Sequence, residues 1–172
     1  QGFAKPINDL SRGCNSDDVK AVVAMTDATL PHIGKGGKII NIASCAAFQP
    51  IPYINIYAAT KAFVLSYTRA LNVELKYKNI TATAVCPYWT KTEFFDRAVV
   101  KDEKTVIINY GVMYDPEKVV LKAYKDNQKG KDISVYGGKN NIQKFFAKIL
   151  PHKLVMKIWC GMQKFDGTPG IR

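Results

Sequence analysis

The sequence predicts an α/β fold built on a parallel sheet, and three observations carry that prediction. Helical and extended patterns alternate along the chain, helix, strand, helix, strand, helix, strand, the order from which right-handed crossovers lay parallel strands side by side. The extended runs are short, apolar and β-branched, as strands covered on both faces are. Apolar residues make up 47% and charged residues 23% of the 172, enough for one core under one polar surface.

Taken in order, the opening stretch QGFAKPINDLSR has no period and reads as loop. Residues 17–33 read as a helix. Asp17 and Asp18 stand at its start, where the macrodipole favours acids, and Val19, Val22, Val23, Met25 and Leu30 supply apolar positions. The GKGG run at residues 34–37 is a turn. A phosphate cradle would need a strand before it and a helix after it, and here that order is reversed. KIINIAS, residues 38–44, is the first buried-strand pattern. Pro50 and Pro52 break the next segment into loop, and a long helix is expected over residues 56–78. NITATAVCP at 79–87 is the second strand, YWTKTEFFDRA an aromatic loop, and DISVYG at 132–137 the third strand. Between loop and third strand, residues 115–130 form a helix with Pro116 at its first position and Gly130 at its end, as helix termini prefer. The tail is helical again and broken at Pro151.

Composition narrows the chemistry. Cys14, Cys45, Cys86 and Cys160 are widely and irregularly spaced, which speaks against a zinc site or a disulfide scaffold and suits reduced thiols in a cytoplasmic protein. His32 and His152 are the sole histidines, so no histidine-rich metal centre is expected. No apolar run approaches the length that spans a bilayer, and the start does not read as a secretory signal. The formal net charge is +11, and from Lys139 to Phe165 there are six lysines and no acid. Apolar residues at three- and four-residue steps beside those lysines fit either an interfacial helix touching a membrane peripherally or a core-packing helix with solvated lysines. Nucleic acid is not an expected partner, because no groove-reading or stacking motif accompanies the lysines.

The most informative stretch is NIASCAAFQPIPYINIYAATKAF, residues 41–63. Ser44 ends a strand pattern, pointing to the crevice beyond the carboxyl ends of the sheet, where open α/β sheets bind ligands. Tyr57 and Lys61 are four apart and share one helix face. A free phenol titrates near 10, about three units too high for work at neutral pH, and a neighbouring ammonium lowers that value. The tyrosine then suits proton exchange with an alcohol or ketone, with the serine hydroxyl holding the same oxygen. The bland alternative is an exposed aromatic and an ordinary lysine on a surface helix.

GGKIINIAS, YAATKAF and NITATAVCPYWTKTEFF, in this order and spacing, resemble the short-chain dehydrogenase/reductase family of the one-domain Rossmann type. The resemblance runs from about Val19 to Phe165. It implies a Rossmann-like doubly wound parallel sheet, of which this chain would hold the C-terminal part as a single incomplete domain, with residues 140–165 as a basic amphipathic helical tail. It implies NAD(P)-dependent interconversion of a secondary alcohol and a ketone on a small to lipid-like hydrophobic substrate, with NADP or NAD as cofactor. Residue by residue, Tyr57 would be the acid/base, Ser44 the substrate-orienting hydroxyl and Lys61 the ribose-binding cation. Asp18 stands where the family often has a catalytic asparagine, either holding the same water toward Lys61 or serving only as a helix-start acid. Pro87, Thr90 and Thr92 match the segment that contacts the nicotinamide end. Tyr88 replaces the usual glycine there, and Tyr88, Trp89, Phe94 and Phe95 would line a hydrophobic substrate site or pack under a loop. The family's Gly-rich turn and Asn-Asn-Ala-Gly segment are not in this sequence, so it is expected to be N-terminally truncated and to bind dinucleotide weakly by itself. The alternative is a non-catalytic remnant serving as a binding or structural module. Homo-oligomers through the two long helices are also implied.

Overall fold

A computed structural model describes residues 16–93, 107 and 109–164. Helix α1 (Ser16–Thr29) starts with Asp17 and Asp18 in its first turn and tightens into a 3₁₀ turn, Leu30–His32, where Pro31 ends it. Strand β1 (Lys38–Ile42) follows, then a second 3₁₀ turn at Cys45–Phe48. Sequence reading assigned that second turn to loop. It forms because Ser44, in extended backbone, accepts the Ala46 N–H at 3.1 Å and so caps it.

Helix α2 (Asn55–Glu74) buries Ala58, Val64, Leu65, Thr68 and Leu71, a stripe at three- and four-residue steps that packs on the sheet. It runs into a 3₁₀ turn, Leu75–Lys78, stopped by Asn79 in the left-handed conformation. Strand β2 (Thr81–Val85) is the middle of the sheet. Ala82, Thr83 and Ala84 are fully buried there, and small side chains let elements approach from both faces. Helix α3 (Pro116–Gln128) opens with Asp115 accepting the Glu117 N–H at 2.9 Å and Pro116 in the first turn. Strand β3 (Ile133–Ser134) leads to α4 (Gly138–Ile149) and α5 (His152–Met162), divided at Pro151.

The sheet order is β1-β2-β3, all parallel, with Ile40 opposite Thr83 and Ala84 opposite Ile133. The strands are shorter than their sequence patterns, most of all β3, which has two residues. Even so, backbone bonds carry the pairing past the strand ends: Ala43 N–H to Val85 O at 2.8 Å, Cys45 N–H to Pro87 O at 2.9 Å and Cys86 N–H to Ser134 O at 2.8 Å. Those bonds hold Ser44 and Pro87 side by side at the carboxyl edge.

Two adjacent polar residues lock α3 to the sheet. Asn127 donates from Nδ2 to Ile39 O of β1 at 3.0 Å and to Thr83 Oγ1 of β2 at 2.9 Å. Asp126, 3% exposed, accepts Ser134 Oγ of β3 at 2.8 Å and pairs with Lys131 at 2.9 Å and with Lys122. Burial by itself would raise that carboxyl, but the lysine and serine hydrogen bonds outweigh it and hold it at about 2. Phe94, Phe95 and the opening loop lie outside the described residues.

Candidate active site

At the carboxyl ends of β1 and β2 lies a cavity of about 800 Å³. Its wall contains Asp18, Ser44, Tyr57, Lys61, Pro87, Tyr88, Trp89, Thr90 and Thr92, the full set of site residues singled out in the sequence apart from those not described.

The reason they meet is the order of elements. β1 delivers Ser44, 9% exposed, at its exit. Ser44 Oγ is an acceptor for Ala46 N–H, which leaves its O–H proton free to donate. α2 begins beside that exit, with Tyr57 in its first turn, half-buried against the cluster of Ile51, Ile54, Ala58 and Ile107. One turn on, the Lys61 ammonium lies 5.9 Å from the centre of the Tyr57 ring. It donates to Ile42 O at 3.2 Å, which clips the start of α2 to the end of β1. Asp18 reaches the wall from α1 as an exposed side chain.

The loop after β2 forms the opposite wall. Thr90 forms a parallel bridge with Tyr114, through Lys91 N–H to Tyr114 O at 2.9 Å and Tyr114 N–H to Trp89 O at 2.8 Å. Thr90 Oγ1 donates to Tyr88 O at 2.8 Å. The rings interlock edge to face: Tyr88 with Trp89 at 5.9 Å, Tyr88 with Tyr114 at 6.5 Å, and Trp89 with Tyr110 at 5.1 Å. Tyr88 therefore shapes the wall as a packed ring. Burial pushes its phenol above the ordinary tyrosine range, which suits a neutral hydroxyl and not a base.

Cys45 also touches the cavity. Burial pushes its thiol up, with Cys86 adding to the rise, and Cys86 itself is raised to about 12, again mainly by burial. Neither is a thiolate nucleophile at neutral pH.

Sequence reading did not nominate several wall residues. Trp159 of α5, Gln143 of α4, Ile107, and Val119, Val120, Ala123 and Tyr124 of α3 all line the cavity. They lie 50 to 102 positions from Tyr57 along the chain, at ordinary helical spacings or in a loop, so no local pattern marks them.

A model of the family described as short chain dehydrogenase matches residues 14–104, more than half of the chain. The chain belongs to the short-chain dehydrogenase family. The matched stretch holds α1, β1, α2 and β2 and with them every wall residue nominated from the sequence. Among curated relatives, the 17-beta-hydroxysteroid dehydrogenase type 3 of Mus musculus is 40% identical over 81 residues, 46% of this chain and 26% of the relative. The very-long-chain 3-oxoacyl-CoA reductase-B of Danio rerio is 35% identical over 78 residues, 44% of this chain and 25% of the relative. The aligned stretch thus spans about a quarter of the length of these curated relatives.

Solved structures agree on the fold. A 7beta-hydroxysteroid dehydrogenase matches with TM-score 0.62 at 17% identity, over 82% of this chain and 53% of that one. A short-chain dehydrogenase from Sphingobium yanoikuyae, solved with NADPH, matches with TM-score 0.55 at 23% identity, over 79% of this chain and 54% of the other. The three-stranded parallel sheet with its helices is a partial Rossmann-like fold.

Proposed function

We propose that this family member is an NAD(P)-dependent oxidoreductase interconverting a secondary alcohol and a ketone on a hydrophobic substrate. One observation carries the reading: Ser44, Tyr57 and Lys61 border one cavity, with the lysine ammonium 5.9 Å from the tyrosine ring.

The cavity wall fits a nicotinamide dinucleotide at its nicotinamide-ribose end. Lys61, Thr90 and Thr92 offer an ammonium and two hydroxyls for ribose and carboxamide groups, and Ile40, Ile42, Val85 and Pro87 offer an apolar bed for a flat ring. When bound, the cofactor supplies the acceptor or donor of hydride at the carbinol carbon. The protein's own part is the proton. Tyr57 takes it from the alcohol oxygen in oxidation and returns it in reduction. The Lys61 ammonium stabilises the phenolate in between, and Ser44 donates its O–H to the same substrate oxygen. Asp18, an exposed residue of the same wall, is the residue through which the proton would exchange with solvent.

The substrate's body meets Ile51, Ile54, Tyr88, Trp89 and Trp159, an apolar and aromatic surface. The two relatives above are named for a hydroxysteroid and a very-long-chain 3-oxoacyl-CoA, hydrophobic bodies with a hydroxyl or carbonyl to work on. Self-association belongs to the same proposal: Met25 of α1 and Ile56, Phe63 and Val73 of α2 are exposed, apolar and on the two long helices.

Tyr57→Phe tests the assignment. Turnover with NADPH or NADH and a panel of hydrophobic ketones should fall by about 10²–10⁴-fold, the usual worth of a positioned acid/base, while dinucleotide affinity stays within twofold or so of the parent. Retained turnover would remove Tyr57 from the role.

A further inference from the structure

The tail helices each carry two stripes, and only one is covered. On α4, Asn140, Lys144 and Ala147 are spaced i, i+4, i+7, and Asn140 and Ala147 are 4% and 3% exposed against the body. Ile142, Phe145, Phe146 and Ile149 are spaced i, i+3, i+4, i+7, so they form a second stripe on the opposite side of the helix. All four are exposed, at 58%, 59%, 46% and 57%. α5 repeats the arrangement. Val155 and Cys160 are buried, while Leu154, Ile158 and Met162 share the other side at 44%, 49% and 49% exposure. A helix that only packed on a core would show polar side chains there. Seven large apolar side chains in water on two consecutive helices ask for a cover.

The charge around the stripes says what the cover is. Lys139 and Lys148 flank the α4 stripe, Lys153 and Lys157 border that of α5, and between Lys139 and Lys164 there is no acid. A second copy docked face to face would set these lysines against their own kind. An anionic surface would complement them. Among the described residues no helix is long and apolar enough to cross a membrane, so the face would lie on a bilayer and not pass through it.

We propose that the outer face of α4 and α5 is a docking surface for an anionic lipid bilayer, with the seven apolar side chains at the headgroup–acyl boundary and the lysines on lipid phosphates and carboxylates. The same two helices contribute Gln143 and Trp159 to the cavity wall, so docking would bring the cavity within one helix layer of the lipid phase. The docking itself does not depend on the enzymatic reading, and the experiment below reads docking alone.

The test is flotation of the chain with vesicles of phosphatidylcholine, with and without about one third phosphatidylserine. The chain should float with the anionic vesicles at least about tenfold better than with the neutral ones, and less so in high salt. Each surface lysine is worth about fivefold in partitioning to such a membrane, so Lys148→Gln with Lys153→Gln should weaken it about 25-fold. Phe146→Ser should weaken it as well, with unchanged circular dichroism since the side chain is exposed. Absence of flotation, equal flotation with both vesicles, or indifference to the lysine pair would overturn the proposal. So would sedimentation showing a self-associated chain that Phe146→Ser dissociates, which would give the face to a second copy.

Discussion

Replacing Asp126 by Asn probes the joint that sets one wall of the cavity. The carboxylate sits at the end of α3, ties that helix to β3 through Ser134, and is flanked by Lys122 and Lys131. Its pKa is lowered from an ordinary 3.8 to about 2, against the opposing effect of burial. At about 1.4 kcal/mol per unit, and trimmed because both ammonium groups are partly exposed, the ionised form contributes about 2 kcal/mol to folding. Asn keeps the size and an acceptor for Ser134 and loses the charge. The sign follows from a depressed folded value: the contribution is whole above 3.8, falls to about half near pH 3 and is gone below about 2. Urea denaturation followed by circular dichroism at pH 7, 5 and 3 should therefore show Asp126→Asn less stable by about 2 kcal/mol at the first two and by about half that at the third. A variant as stable as the parent at pH 7, or a gap that widens in acid, would refute the account of this joint. Because Val119, Ala123 and Tyr124 of the same helix line the cavity, the variant should also raise KM for hydrophobic ketones more than it lowers kcat.

Two further outcomes follow from local geometry. Gly137 has φ +92°, and a Cβ there would meet Tyr114 Oη at 2.8 Å and Asn140 Nδ2 at 2.9 Å. Gly137→Ala should cost about 1–3 kcal/mol, read as a Tm lower by roughly 2–10 °C, while Gly111→Ala, left-handed but in open space, should cost less. Cys86 is fully buried with its thiol near 12, so iodoacetamide at pH 8 should leave it unmodified in the folded chain and alkylate it in urea, with mass spectrometry as the readout. Fast labelling of Cys86 in native conditions would contradict its burial.

Much of the site was legible because it is local. Tyr57 and Lys61 share a face whatever else the chain does, since four residues make about one turn. Ser44 falls at a strand exit because a β-branched run stops there, and the α/β alternation puts strand exits on one edge. Those rules assign element types and angles around a single axis, and they marked Ser44, Tyr57 and Lys61; the resemblance to the family named Asp18, Pro87, Tyr88, Trp89, Thr90 and Thr92, which line the same cavity. They are silent on what lies across from that axis. Asp126 and Asn127 fall within the helix expected over residues 115–130 with no pattern to mark them, yet they are buried because β1, β2 and β3 pass beneath them. Trp159 reads as one more apolar position in a basic tail, and its place in the cavity depends on how α5 folds back over Ile51 and Ile54. On α4 the more apolar stripe, Ile142, Phe145, Phe146 and Ile149, is the exposed one, and only tertiary packing decided that Asn140 and Ala147 meet the body. Periodicity specifies faces, but the partner that covers a face comes from far along the chain, and that pairing is a property of the whole arrangement of elements.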